Sequence, residues 1–261
     1  MTHHSELINF LAKKINAKSY LEIGTFNRDH NFNLINVKHK ICVDPDSEAK
    51  ADFIGTSDKF FEFYKIMSTI ENYGKPKLFD IIFIDGLHEE AQVRKDFENA
   101  LQCLNDNGFI ILHDCNPHSE AITHYPRDSR EWCGNVYKFA MTLQQYDGID
   151  FRTVNFDYGC AVVWKDETKT GNPKKIDTTW ENFEDYRKEL LRLVSVEEFK
   201  SHPNIKKPVS CINSCIIPLF FKYNSCFYSI LLVFFTACAI ISLFQPIICT
   251  FFRRADWFGN L

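Results

Sequence analysis

Short apolar runs alternate with amphipathic segments along the chain as far as Pro208. The runs "SYLEIG", "KICVDPD", "ADFIG", "FDIIFIDG" and "FIILHD" each predict a β-strand, and Asn107-Gly108 predicts a turn before the last of them. The segments before the first of these strands and after the third, fourth and fifth have apolar residues at helical spacing. "SELINFLAKKI" places such residues at 7, 8, 11 and 15, with Ser5 as a possible N-cap, and Thr56 or Ser57 is placed to cap the helix after the third strand.

The order of these elements predicts the fold class. Strands that alternate with helices, several of them continuous apolar runs such as Ile81 to Ile84, indicate a parallel sheet covered by helices on both faces. "FRTVNFDYGCAVVWK" predicts a closing pair of strands. We therefore expect an α/β protein with a doubly wound, mostly parallel, Rossmann-like sheet. In such sheets ligands bind at the carboxyl ends of the strands.

The pattern changes near Pro208, so we expect one domain over residues 1–205 and an apolar tail over 206–261. No charged residue occurs from Cys226 to Phe252, and Arg253 and Arg254 follow directly. A helix over such a run exceeds the roughly 30 Å hydrocarbon layer of a bilayer, which predicts a transmembrane helix at about 226–250. A buried core helix and an artefact of gene prediction are the alternatives.

Composition and charge narrow the function classes. A net charge of -4 gives no reason to expect nucleic-acid binding. None of the ten cysteines forms a C-x-x-C pair, so neither a zinc ribbon nor a thioredoxin-type site is indicated. The amino-terminal segment lacks the apolar run of a secretory signal peptide. These features predict a cytosolic domain attached to a membrane by the tail, while the oligomeric state is left open.

Residues able to carry chemistry follow four of the predicted strands. The first strand brings Glu22 and Gly24, and the second ends in Asp44, an acid suited to the hydroxyls of a ribose. The fourth brings Asp85 and His88, and the fifth brings His113 and Asp114. The carboxyl ends of parallel strands lie at one edge of a sheet, so we expect these side chains to converge.

The same segments carry a resemblance to a known family. "YLEIGTF", "VDPD", "TSDKFF", "FIDGLH", "NGFIILHDCNP", "WCGNVYKF" and "DYGCAVV" stand in the order found in class I S-adenosylmethionine-dependent methyltransferases. The chain resembles their small-molecule O-methyltransferase-like branch, which carries a strand-end "IDG-x-H" and a later "HD". The resemblance covers about residues 5–200. It departs at the cofactor loop, which lacks further glycines after Gly24, and at Asn135, where an acid is expected.

The resemblance implies S-adenosylmethionine as cofactor, bound by Glu22, Gly24, Thr25, Asp44 and Asp85. It also implies transfer of a methyl group to a hydroxyl of a small molecule or sugar. Such a transfer needs an aligned acceptor oxygen that loses its proton.

His88 and His113 are the candidate catalytic bases, since imidazole titrates near neutral pH. A divalent ion such as Mg²⁺, held by Asp85 and Asp114, is the alternative way to activate the acceptor.

Structural roles compete with these functional ones. Asp44 precedes Pro45 and could form a turn, His88 could belong to the N-cap region of a helix, and His113 could be a satisfied buried histidine. Trp132 and Tyr137 are interpreted as core residues.

At the level of the whole protein, two alternatives to methyl transfer remain open. One is a catalytically inactive methyltransferase-fold binding protein tethered to a membrane. The other is a metal-dependent reaction of a different type on the same fold.

Overall fold

The structure is a computed structural model that describes residues 1–71 and 77–206. Its described strands form one sheet in the order β3-β2-β1-β4-β5-β7-β6-β8. The strands are β1 Ser19–Ile23, β2 His39–Asp44, β3 Phe53–Ile54, β4 Phe79–Ile84, β5 Leu104–Leu112, β6 Ile149–Val154, β7 Cys160–Lys165 and β8 Leu193–Val194. The first five run parallel, and β7 is antiparallel to both β5 and β6. The predicted mostly parallel sheet with a closing strand pair is confirmed.

Helices cover both faces of the sheet. They are α1 His4–Ile15, α2 Ser57–Glu71, α3 Glu90–Gln102, α4 Val136–Thr142, α5 Trp180–Leu190, α6 Val196–Ser201 and α7 Pro203–Lys206. On one face, Leu7 and Leu11 of α1 join Phe83 of β4 and Phe199 of α6 in a buried cluster. On the other face α2, α3 and α4 pack side by side. This is the two-layered cover that the alternating pattern predicts.

The central strand β4 lies between β1 and β5, and all of its residues except Asp80 are buried. Its apolar run is therefore explained by helices on both faces. The turn predicted at Asn107-Gly108 is wrong. Both residues belong to β5. The register between β4 and β5 shifts at this point, since Phe79 pairs with Leu104 while Ile81 pairs with Phe109. The extra residues are absorbed within the strand instead of ending it.

Two helix starts can be compared with the predicted caps. The N-cap of α1 is His3, whose side chain accepts a hydrogen bond from the Ser5 N–H, so the predicted cap at Ser5 is wrong. The hydroxyl of Thr56 accepts a hydrogen bond from the Lys59 N–H at the start of α2, which agrees with the predicted alternative at that residue.

The predicted transmembrane helix at about 226–250 lies outside the described residues. Within residues 1–71 and 77–206, every helix is too short or too polar to cross a bilayer. The predicted division between 205 and 206 stays a prediction.

Candidate active site

A cavity of ≈ 820 Å³ opens at the carboxyl ends of the parallel strands. This volume lies within the range of small-molecule and cofactor sites. Its lining includes Glu22, Gly24, Asp44, Asp85 and His88, so the predicted convergence of strand ends is observed. His113 and Asp114 contact this group from behind and are not part of the lining.

Gly24 is needed for contact between two strand ends. Its φ of +85° lies in the left-handed region, and a Cβ there would be 2.1 Å from the carbonyl oxygen of Asp85. The backbone of the loop after β4 therefore occupies the space that a side chain at residue 24 would need. Gly24 thereby holds the loop after β1 against the loop after β4. Gly24 also lines the cavity, and its predicted part in cofactor binding stays a prediction.

Glu22 is almost completely buried in the cavity wall. Its Oε2 accepts hydrogen bonds from the Tyr20 hydroxyl and from Asn31 Nδ2, both at 2.6 Å. Burial raises the pKa of Glu22 to about 7, against the lowering effect of these two hydrogen bonds. No described residue donates a hydrogen bond to Oε1. Glu22 is thus fixed through one oxygen and has the other for a ligand.

Asp44 at the end of β2 fixes the loop that follows β1. Its Oδ2 accepts a hydrogen bond from the Phe26 N–H at 2.8 Å, and its Oδ1 accepts one from the Asp46 N–H at 2.8 Å. The turn-forming role is therefore real. A carboxylate oxygen has a second acceptor position, so Asp44 can also accept hydrogen bonds from a ribose.

Asp85, His88 and Asp114 form a compact cluster beside the cavity. His88 Nε2 lies 3.3 Å from Asp85 Oδ1, and His88 Nδ1 lies 3.1 Å from Asp114 Oδ2. One ligand atom from each residue falls within 4.8 Å of the other two, which suits a metal ion. The distance from His88 Nδ1 to Asp114 is short, yet the geometry is not that of a hydrogen bond.

The charges of this cluster shift one another. Burial alone would raise the pKa of Asp85, but His113 and His88 hold it below its usual range. Burial would lower the pKa of His88, but the carboxylates of Asp85 and Asp114 raise it. The same two carboxylates raise the pKa of His113 well above its ordinary value, despite burial.

His113 connects the cluster to a second group of side chains. Its Nδ1 donates a hydrogen bond to Asp85 Oδ1 at 3.2 Å, and its Nε2 lies 3.6 Å from Asp157 Oδ2. Asp157 in turn accepts hydrogen bonds from the backbone N–H and from Nδ1 of His4, both at 2.8 Å. His113 is therefore a buried histidine bonded at Nδ1, and it lies behind Asp85, whereas His88 lines the cavity.

The segment around Asn135 supports His88 from the other side. The carbonyl oxygen of His88 accepts a hydrogen bond from the Asn135 N–H, and a Cβ at Gly134 would lie 2.0 Å from that oxygen. The Asn135 side chain accepts a hydrogen bond from the Glu90 N–H at the start of α3. Where an acid was expected, this amide therefore has a structural function.

The interpretation of Trp132 as core is corrected, while that of Tyr137 is confirmed. Tyr137 is buried, but Trp132 lines the cavity and stacks on the His88 ring with centroids 4.9 Å apart. The stack fixes the imidazole plane beside the cavity.

Three contributors escaped sequence analysis, namely His4, Asn31 and Asp157. Asn31 and His4 line the cavity, and Asp157 lies in the turn between β6 and β7. The one available signal was that Asp157 stands in the "DYGCAVV" segment. Nothing in a local pattern brings residue 4 next to residue 157.

Comparison with known proteins gives a family for part of the chain. Residues 18–115 match the model of a family described as a methyltransferase domain. No curated protein matches the chain.

Three solved structures illustrate the similar folds. The O-methyltransferase from Bacillus cereus in complex with SAH is 18% identical, with 61% of this chain and 78% of that chain covered and a TM-score of 0.43. TomG from Streptomyces achromogenes is an O-methyltransferase involved in tomaymycin synthesis and was solved with SAM. It is 14% identical, with 62% of this chain and 79% of that chain covered and a TM-score of 0.39. The MycE methyltransferase of the mycinamycin biosynthetic pathway, in complex with Mg, SAH and mycinamycin VI, is 18% identical. The comparison covers 69% of this chain and 53% of that chain, with a TM-score of 0.40.

The matched region begins just before β1 and ends just after Asp114, so it contains five parallel strands and most of the cavity wall. The predicted resemblance to methyltransferases is confirmed over this region, because residues 18–115 match the model of the family described as a methyltransferase domain.

Proposed function

We propose that the chain is an S-adenosylmethionine-dependent methyltransferase that acts on a hydroxyl of a small molecule or sugar with help from a divalent ion. The observation that carries this proposal is the cluster of Asp85, His88 and Asp114, set beside a cavity that Glu22 and Asp44 line. Cofactor-binding acids and an acid–base group then face one space, as transfer between two bound molecules requires.

Unpartnered polar atoms in the wall support a cofactor in this cavity. Thr25 Oγ1 and Asn31 Oδ1 are buried and have no hydrogen-bond partner among the described residues. Buried polar atoms are normally satisfied, so such atoms in a cavity wall favour a polar ligand. Together with Glu22 Oε1 and Asp44 they offer acceptors to the amino and hydroxyl groups of S-adenosylmethionine. The sulfonium of that cofactor supplies an activated methyl group.

The donor set beside the cavity supports the metal. Asp85 and Asp114 provide hard carboxylate oxygens, so Mg²⁺ or a similar ion fits these two residues together with water and an acceptor oxygen. His88 lies beside both carboxylates and stays outside this ligand set, so its ring can take up a proton. When bound, a divalent ion would lower the pKa of an acceptor hydroxyl and offset the negative charge that raises the pKa of His88.

His88 is the residue we assign to the proton of the acceptor. Its ring lines the cavity, is fixed by Trp132, and is bounded by two carboxylates that stabilise the imidazolium formed by proton uptake. His113 does not line the cavity, so we assign it the role of orienting Asp85.

Methyl transfer from S-adenosylmethionine to a panel of hydroxylated small molecules and sugars tests the proposal. We expect His88→Gln to lower kcat by about 10²–10⁴-fold, the usual worth of a general base, with little effect on cofactor affinity. His118→Gln, an exposed histidine change, is the matched control. A chelator should also reduce activity. Full activity of the His88 variant would contradict the role of His88 as general base, and full activity in chelator would contradict the role of a metal ion.

A catalytically inactive binding protein remains the alternative function. The departures that favour it are the cofactor loop without further glycines after Gly24 and the amide at Asn135. The second has a structural explanation, because the Asn135 side chain accepts a hydrogen bond from the Glu90 N–H at the start of α3. The two functions differ in one outcome. Cofactor binding by calorimetry without transfer to any acceptor of a broad panel would favour the binding protein.

We also propose that the apolar run from Cys226 to Phe252 anchors the protein in a membrane, on the strength of its sequence. The full-length chain should stay in the membrane pellet after carbonate washing. Ile240→Lys, which places a charge in the run, should release it, and Ile240→Leu is the matched control. Release of the wild-type chain would contradict the anchor.

A further inference from the structure

We propose that His4, His113 and Asp157 form a second metal site, which takes a divalent transition-metal ion such as Zn²⁺. One ligand atom from each residue lies within 4.8 Å of the other two. The inference is independent of the proposed methyl transfer. The three residues of this second site are different from Asp85, His88 and Asp114, which form the first cluster.

The distances suit coordination. His4 Nδ1 lies 2.8 Å and His113 Nε2 lies 3.6 Å from Asp157 Oδ2. Ligand atoms in a tetrahedron around Zn²⁺, with bonds of 2.0–2.2 Å, are about 3.4 Å apart. Two imidazole nitrogens and a carboxylate oxygen form a donor set for Zn²⁺, Co²⁺ or Fe²⁺, whereas Mg²⁺ prefers oxygen ligands. The site therefore differs in metal preference from the Asp85 cluster.

A buried atom without a partner points into this site. The side chain of His113 is 10% exposed, and its Nε2 has no hydrogen-bond partner among the described residues. Its Nδ1 donates a hydrogen bond to Asp85, which leaves Nε2 as the nitrogen that faces Asp157. Metal-binding histidines commonly donate their other ring N–H to a carboxylate, which sets the tautomer and raises ligand basicity. His113 has this arrangement.

The other two ligands are also held in place. The ring of His4 stacks on Phe83 with centroids 4.9 Å apart, and the backbone N–H of His4 donates a hydrogen bond to Asp157. Both residues are thus positioned by contacts that do not need the metal. Preorganisation of this kind reduces the ordering cost of binding.

The charge balance favours a cation. Asp85, Asp114 and Asp157 are mostly buried, and their ion pairs in the described part of the chain are all with histidines. No described Lys or Arg lies within 4.0 Å of these carboxylates. The compensating charge comes either from protons on the imidazoles or from metal ions, and metal binding would release such protons.

Cobalt spectroscopy on the full-length chain separates these cases. The titration uses an Asp114→Asn background with excess Mg²⁺, so that Co²⁺ bound at the Asp85 cluster does not contribute to the spectrum. We expect one equivalent of Co²⁺ to give visible d–d bands without a thiolate charge-transfer band, and Zn²⁺ to remove them. His4→Gln and Asp157→Asn should each weaken binding by more than the roughly 10–100-fold that loss of an outer-shell partner costs.

His3→Asn is the matched control. His3 is next to His4, with ring centroids 4.0 Å apart, and Asn can replace it as the helix cap. Equal Co²⁺ binding in all variants, or a thiolate band, would overturn the proposal. If the variants do not fold, Zn²⁺ should still shift the imidazole ¹⁵N resonances of His4 and His113 in the wild-type chain. Absence of those shifts would also overturn it.

Discussion

Buried acids govern the chemistry at the scale of single residues, and Glu22 gives a test that needs no substrate. In the folded protein Glu22 keeps its proton up to a pKa of about 7, whereas in the unfolded chain it loses the proton near the ordinary pKa of 4.5. Between these values the folded state binds more protons. The free energy of unfolding contributed by this group therefore falls as pH rises through that window and levels off above it.

We predict that Glu22→Gln removes this dependence. The amide oxygen can still accept from Tyr20 and Asn31, so the fold is kept. The difference in free energy of unfolding between the variant and wild type should shift in favour of the variant by on the order of 1–3 kcal/mol from about pH 5 to pH 8. Denaturant unfolding at both values measures the gain. The exposed Glu62→Gln serves as control, and an equal pH slope in Glu22→Gln and wild type would refute the assignment.

The residues that follow apolar strands were predictable from sequence, because strand ends of a parallel sheet meet at one edge. Asp44, Asp85 and His88 were found in that way, and all three line the cavity. His4 and Asp157 were not, because their contact depends on how α1 crosses the sheet. The burial of Glu22 by Tyr20 and Asn31 likewise has no local signature.

At the scale of elements, the close contact between the β1 and β4 loops makes a second prediction. Gly24→Ala adds a Cβ 2.1 Å from the Asp85 carbonyl oxygen at a φ of +85°. Left-handed strain and overpacking together should lower the free energy of unfolding by about 2–5 kcal/mol.

Gly148→Ala is the matched control for that change. Gly148 also has a positive φ, of +71°, but a Cβ there meets nothing within 4 Å. It should cost only the strain, about 1–2 kcal/mol. Thermal or denaturant unfolding of both variants gives the comparison. Equal losses would show that contact with the β4 loop does not decide the choice of glycine at residue 24.

The types of the elements followed from periodicity, and their ends depended on contacts. The short apolar runs predicted β1, β2 and β4 correctly, because strands that are buried on both faces have few polar residues. The Asn107-Gly108 turn was wrong because strand pairing with β4 keeps these residues in β5. The N-cap of α1 is His3 because its ring, although not a favoured capping group, accepts from the Ser5 N–H.

At the scale of the whole molecule, the sheet brings β1, β2, β4 and β5 side by side, although other segments separate them along the chain. The order of strands makes one cavity edge from four separate segments. Fold class and sheet type were predictable, because continuous apolar runs that alternate with helical segments indicate a parallel sheet. The placement of α1 and of the β6–β7 turn behind that edge was not, since it depends on packing over the whole sheet.

Binding of S-adenosylmethionine to the full-length chain, measured by calorimetry, tests the central proposal most directly. We predict saturable binding with one site, weakened in Asp44→Ala by roughly 1–3 kcal/mol through lost hydrogen bonds to the ribose and to Phe26. Asp46→Ala, an exposed acid of the same loop, should bind like wild type. Absence of binding to the wild-type chain, or unchanged affinity in a folded Asp44→Ala variant, would contradict the proposed cofactor site.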